Sequence, residues 1–290
     1  MKSFGEVFKQ FRQSRGLSLR SISNKDLSVS QLSRFENGQS DLTISKFKIA
    51  LDEINMPMSE FTYAVQDFKR DELQDLIHKM DLYVLRNDVV SMRHLLETRP
   101  VKPKLRRLFH ELNTIIIKIK LEEMTGDAIV SEHDLSVLTD YLIGVEYWGY
   151  YELLLFMHSM HRFRHSLFMT LTKEMMSRSE FYKELPLNRR MINYLVLEAF
   201  VLACERQELI DAHYYRKFIR NNQFEERDIF ERLVYQYAEG MFEFFFHDER
   251  KGLMQMEKVI EIFRDTGSIH LAQSYQARVD AAIKIKANNH

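Results

Sequence analysis

Apolar side chains recur along this chain at three- and four-residue intervals, the spacing of helices with one face turned inward. Phe4, Val7, Phe8 and Phe11 share a side of a first helix that Gly16 stops, and Ser18 caps a second short piece with Leu19 and Ile22 inward, ending near Asn24. Ser28 begins a third helix with Leu32 and Phe35 inward, closed by Asn37-Gly38 as a left-handed stop. Thr43 precedes a fourth carrying Ile44, Phe47 and Leu51, and a fifth starts at Met58 or Ser59 around Phe61. Five short helices predict one compact domain over residues 1–66. From Asp67 the runs lengthen, with helices expected near 69–84, 88–97, 103–124, 132–146, 149–158, 163–178, 188–205, 211–220, 225–246, 252–266 and 269–286. Their connections are short and polar, as in antiparallel helical hairpins stacked in sequence. Gly252 followed by Met256, Val259, Ile262 and Phe263, then Gly267 and Leu271-Ala272, has the small and large spacing of a tetratricopeptide-like unit, with no strict period elsewhere. The second expected domain, 67–290, is therefore a degenerate helical repeat.

Composition sharpens this to an all-α fold. Glycine and proline supply only 9 and 4 residues of 290, too few for the corners of a sandwich or a βαβ enzyme. One cysteine, Cys204, cannot make an internal disulfide, and the charged start MKSFGEVFKQFR is unlike a signal peptide, so a reducing cytoplasm is expected. The most apolar stretch, Tyr194 to Cys204, is about half a bilayer span and contains Glu198, so no membrane partner is expected. The 41 basic and 42 acidic residues balance, yet residues 1–40 hold seven basic against three acidic groups, a net +4 that leaves −5 on the rest. A small basic head on a mildly acidic body suits a phosphate-bearing partner.

The richest chemistry lies in Ser28-Val29-Ser30-Gln31-Leu32-Ser33-Arg34-Phe35-Glu36-Asn37-Gly38. With Leu32 and Phe35 inward, Ser30, Gln31 and Arg34 point largely outward. An amide and a guanidinium there can each pair with base edges in a major groove, and the Ser28 hydroxyl and helix N-terminus suit a phosphate oxygen. Arg15, Ser33 and Asn37 complete the set expected to face double-stranded DNA. The alternative is a solvated polar face on an ordinary helix, against which stand the preceding short helix, the basic first residues and the Asn-Gly stop.

Residues 4–62 resemble a Cro and phage-repressor type helix-turn-helix through Phe11-Arg12, Arg15-Gly16, Leu19, Ile22 and the segment from Ser30 to Gly38. The resemblance implies that Arg12 and Glu36 form an internal ion pair. Ser23 stands where that family usually has Ala at the packing point of its second helix. Leu138-Thr139-Asp140-Tyr141-Leu142, Val145-Glu146, Trp148-Gly149-Tyr150-Tyr151-Glu152-Leu153 and Leu171-Thr172-Lys173-Glu174-Met175 behind such a head resemble the Rgg/GadR/MutR regulators of Gram-positive bacteria. That likeness implies a homodimeric transcription factor whose repeat domain often receives a short signalling peptide; two joined heads are expected to read a palindromic operator, since one alone covers only a few base pairs. Trp148 also has the size to pack two hairpins together, with Gly149 permitting the turn.

His158, His161 and His165 stand at i, i+3 and i+7, so all three are expected to project from one side of a helix, with Arg162 and Arg164 beside them. The neighbouring arginines oppose a divalent cation, so no metal is expected; a pH-responsive cluster and a plain polar face remain open. In the Rgg-like family the position of His158 is commonly an Asn on the concave surface, holding peptide backbone. Glu198, an acid among Leu195, Val196, Leu197, Ala199 and Phe200, either faces a wet groove or has a partner. His158, His161, Arg162, Tyr194, Glu198 and Tyr235 are the expected peptide-lining residues, with a charged peptide end at Arg162 or a protonated imidazole. Phe242, Phe244, Phe245 and Phe246 read as core or dimer interface. Phosphate loops, nucleophile elbows and His-Glu-x-x-His are all missing, so neither enzyme nor cofactor is expected. A regulator of the same fold responding to pH or a small molecule, and a helical scaffold without DNA binding, are the alternatives.

Overall fold

A computed structural model describes residues 3–99, 107–221 and 224–288. Among them it has fifteen α-helices and no strand, and the chain divides into two compact units, Met1–Leu82 and Tyr83–His290. The first holds α1 (Phe4–Ser14), α2 (Val29–Glu36), α3 (Ile44–Glu53) and α4 (Met58–Val65), and α5 (Glu72–Leu85) runs across the division. Residue 66, where the sequence pattern changes, is thus the end of α4, and the compact units part within the following helix.

The core of the first unit is Val7, Phe8, Ile22, Leu27, Leu32, Phe35, Phe47, Leu51 and Phe61. The rings of Phe47 and Phe61 meet edge-on at 4.9 Å. One expected helix is missing. Leu19–Ile22 is a run of turns, and three serines account for it: Ser18 Oγ accepts the Ser21 N–H at 3.0 Å, while the hydroxyls of Ser21 and Ser23 donate to the carbonyls of Ser18 and Arg20. Hydroxyls that satisfy local backbone groups compete with a helix too short to pay back its nucleation. Ile22 still reaches the core, fully buried.

The second unit follows the expected order closely: α6 (Val89–Glu97), α7 (Arg107–Thr125), α8 (Glu132–Gly144), α9 (Tyr150–Ser159), α10 (His165–Arg178), α11 (Pro186–Glu205), α12 (Leu209–Asn221), α13 (Ile229–Phe246), α14 (Glu249–Asp265) and α15 (Ile269–Ala287). The start of the run expected at 103–124 lies, over 103–106, outside the described residues. Alternate helices pack in a row, α7 on α9, α9 on α11 and α11 on α13, with α10 and α12 against α11 and α14 between α13 and α15. That is the layering of a helical repeat, in which the first helix of each hairpin builds one wall. Trp148 joins two hairpins: it is fully buried, its Nε1–H donates to the Leu142 carbonyl at 3.2 Å, and its ring meets Phe156 at 5.6 Å. Gly252 lets α14 close on α13, since a Cβ there would sit 2.3 Å from the Phe244 nitrogen. Phe242 and Phe244 are buried, so the phenylalanine run is core at those positions. No described helix is long and apolar enough to cross a membrane.

Candidate nucleic-acid interface and candidate ligand trough

In the first unit the segment from Ser28 to Gly38 builds α2 with both ends closed. Ser28 Oγ accepts the Gln31 N–H at 3.2 Å, and Gln31 Oε1 accepts the Ser28 N–H at 3.2 Å, a reciprocal capping box. At the other end Gly38 takes φ +67°, and the N–H groups of Gly38 and Gln39 donate to the carbonyls of Phe35 and Arg34. This Schellman closure needs the left-handed conformation that glycine adopts without cost. Ser30, Arg34 and Asn37 are exposed and Ser33 is half-buried. Gln31 is half-buried, its oxygen held in the cap, which leaves the amide NH2 as its outward donor. Arg15 is exposed beside α1, its Nη1 donating to the Phe11 carbonyl at 3.3 Å.

Arg12 and Glu36 meet below this surface, both buried. Nε donates to Oε1 at 2.6 Å and Nη2 to Oε2 at 2.7 Å, while Nη1 donates to the Leu17 carbonyl. The hydrogen bonds to Glu36 raise the Arg12 pKa. A pair with every fork occupied is a structural element, and it ties the end of α2 to α1 and to the turn after it.

In the second unit His161 lies within electrostatic reach of Lys120 and Glu123 of α7, Glu198 of α11 and Arg278 of α15; Tyr194 of α11 shares Glu123, Glu198 and Arg278, and His158 of α9 shares Lys120. Glu198 has the partner its burial demands: Arg278 Nη1 lies 3.1 and 2.8 Å from its two oxygens, and Arg278 Nε donates to Glu205 Oε1 at 2.8 Å. Burial works against the Arg278 charge, but Glu198 and Glu205 overcome it and its pKa stands above the ordinary value. Its Nη2 remains buried without a hydrogen-bond partner. Tyr194 is half-buried, and burial, then Glu198, push its phenol pKa up. His161 is exposed, and desolvation by its surroundings still lowers its pKa. His158 is buried, its Nε2 without a partner; burial, then Lys120, bring its pKa down to about 3.

Several expectations need correction here. The three histidines do not share a helix: α9 ends at Ser159, one 3-10 turn covers Met160–Arg162, and His165 opens α10. His165 pairs with Asp211 instead, Nε2 to Oδ2 at 2.6 Å. Arg162 is held by Glu122 at 2.7 Å, whose other oxygen accepts the N–H groups of Ile129 and Val130, so it is not a free anchor for a peptide end. Nor is a protonated imidazole available at His158 near neutrality. Tyr235 belongs to another network: its hydroxyl donates to Glu239 at 2.6 Å and accepts from Arg220 at 3.2 Å. Two residues along α13, Tyr237 is the tyrosine near Arg278, and its hydroxyl donates to the Tyr275 carbonyl at 3.2 Å. Sequence reasoning missed Arg278, Lys120, Glu123 and Glu205; the demand of Glu198 for a partner pointed to a cation such as Arg278, and no signal pointed to the other three.

His165, Glu208 and Asp211 could bring three ligand atoms within 4.8 Å of one another. A metal on His165 Nε2 would move the ring proton to Nδ1, which is buried with no acceptor, so these donors fit a cation poorly. A cavity of about 460 Å³ opens on the side of α11 opposite Tyr194 and Glu198, lined by Met176, Arg189, Ile192, Val196 and Phe218 among others.

Residues 98–277 match the family model for the C-terminal domain of the HTH-type transcriptional regulator Rgg. Among solved structures, the chain is similar to the Streptococcus dysgalactiae SHP pheromone receptor Rgg2, with 26% identity, a TM-score of 0.79, and 95% of this chain and 98% of that chain covered. A putative transcriptional regulator from Listeria monocytogenes EGD-e is similar at 20% identity and TM-score 0.82, with 98% of each chain covered. A bacterial peptide pheromone/receptor complex shares the fold at 13% identity and TM-score 0.71, with 97% of this chain and 99% of that one covered.

Proposed function

Because the chain belongs to the Rgg family of transcriptional regulators, we propose that it is a cytoplasmic, homodimeric, sequence-specific DNA-binding regulator whose second unit receives a short signalling peptide. The observation that carries the peptide reading is the convergence of His161, Tyr194, Glu198 and Arg278 from the turn after α9, from α11 and from the last helix, with His158 one turn earlier on α9. Such a trough offers apolar walls with polar tips, and a short extended peptide spans about 3.3 Å per residue, so eight residues reach across stacked hairpins. With His158 neutral and Arg162 engaged, recognition there rests on hydrogen bonds to peptide backbone rather than on a salt bridge to its end. The likeness to a pheromone receptor supports the same assignment.

The head reads DNA through Arg34, Ser30 and the Gln31 amide on base edges, with Ser28, Ser33, Arg15 and Asn37 at the backbone and groove edges. One head covers a few base pairs, and two joined heads read a palindrome. Selection from random duplex by the full chain tests this: a palindromic site should emerge, its affinity should fall steeply with salt, and an apolar peptide that binds the trough should change it. Recovery of random sequence only would refute the reading. The cavity behind α11 favours a second reading, a small-molecule effector, which predicts that filling it by Val196→Trp abolishes regulation while peptides remain inert.

A further inference from the structure

The outward face of α2 carries one apolar side chain. Val29 is the first residue of the helix, directly after the Ser28 cap, and is 42% exposed. At about 100° per residue, Ser33, Ser30 and Arg34 follow it round the helix at about 40°, 100° and 140°, while the buried Leu32 and Phe35 stand at about 300° and 240°. Val29 and Arg34 are thus the two edges of one outward arc. The fold makes no use of this valine. It belongs neither to the core of the head nor to the apolar residues packed against that core, and the capping box closes through Ser28 and Gln31 without its side chain. A β-branched residue also gains nothing over alanine in helix propensity.

What such a side chain can recognise follows from the groove that α2 enters. The base pairs show hydrogen-bond donors and acceptors in the major groove, and the only apolar group in that pattern is the C5-methyl of thymine. An exposed valine beside serines and an arginine matches that methyl. Its χ1 is stiff in a helix, so both of its own methyls are held in place and little is ordered on contact. Val29 and Arg34 are five residues apart, about 7.5 Å along the axis, which equals about two base-pair steps at roughly 3.4 Å each.

We propose that Val29 reads the C5-methyl of a thymine in each half-site, no more than about two base pairs from the base held by Arg34. The inference rests on the DNA-reading role of α2 given in the preceding section and adds one base of the operator. Replacing thymine by deoxyuridine deletes that methyl and nothing else, so the affinity of the full chain for selected operators carrying the replacement, one position at a time in both half-sites, tests it. One position should exist at which wild type binds about tenfold more weakly. Val29→Ala should bind the unmodified operator about tenfold more weakly, with an unchanged unfolding midpoint, and should lose nothing further on replacement, while Val29→Ile should keep the sensitivity. Undiminished sensitivity in Val29→Ala, or a wild type indifferent at every thymine, would overturn the assignment to Val29; lost operator binding in Arg34→Ala would then leave α2 standing as the reading helix. If no operator emerges from random duplex, the DNA-reading role and the valine contact fall together.

Discussion

In the head, Arg12 gives Nε and Nη2 to Glu36 and Nη1 to the Leu17 carbonyl; in the body, Arg278 gives Nη1 to Glu198 and Nε to Glu205 and leaves Nη2 buried with no partner. Both are buried guanidinium–carboxylate pairs, and they differ in completeness. The first links residues 24 apart and satisfies all of its forks, so it fixes the mutual position of the helices that present α2. The second links residues 80 apart and leaves one guanidinium nitrogen buried and open, within electrostatic reach of His161. Unsatisfied buried donors are rare because each costs stability, so the open Nη2 of Arg278 sets this pair apart from the complete one in the head.

Breaking the complete pair should have the largest effect. Glu36→Ala strands a buried guanidinium, and we expect about 3–5 kcal/mol of lost stability in the head, read as a lowered midpoint of chemical unfolding, with weaker DNA binding as its consequence. Full stability with collapsed DNA affinity would place Glu36 at the interface instead. Arg34→Ala should show the opposite signature, a loss of about 1–3 kcal/mol per half-site in operator affinity with unfolding unchanged. Unaltered discrimination between operator and random duplex would remove α2 from the reading surface.

The body supplies a pH test. His158 has a folded pKa of about 3 against an unfolded value near 6.5, so below pH 6.5 the unfolded chain binds the extra proton and stability falls as pH drops toward 3. Between pH 7 and pH 5 this amounts to about 2 kcal/mol, and His158→Asn should flatten that part of the profile. A stability profile identical in wild type and variant would contradict the burial of a neutral imidazole. A smaller stability effect than that of Glu36→Ala is expected of Glu198→Gln, about 1 kcal/mol, because Glu205 keeps hold of Arg278 and the amide retains an acceptor; ligand affinity should suffer more than the unfolding midpoint.

Much of this architecture is legible in the residue pattern. Ser28, Gln31 and Gly38 announce both ends of α2, and the expected run 132–146 corresponds to a helix at Glu132–Gly144. The second short helix failed because periodicity registers Leu19 and Ile22 as inward without showing that the serines around them satisfy the backbone locally. The surroundings of Glu198 were half legible. Glu198 in an apolar helix states that a partner exists, but which of the later basic residues reaches it depends on how α11 and α15 meet, and no local rule encodes that. Choosing Tyr235 over Tyr237 has the same origin: the two lie about 200° apart on one helix, and only the packing of α13 tells which side faces α15.

The central claim is that the trough around Glu198 and His158 is the regulatory peptide site. A pooled library of synthetic apolar octapeptides, captured on the full chain and identified by mass spectrometry, yields ligands that calorimetry can titrate into wild type, His158→Ala and Glu198→Gln. The account predicts that captured peptides bind both variants at least about tenfold more weakly, while the variants keep wild-type operator affinity in the absence of peptide. Equal affinity of the captured peptides for wild type and both variants would contradict it and move the site away from α9 and α11.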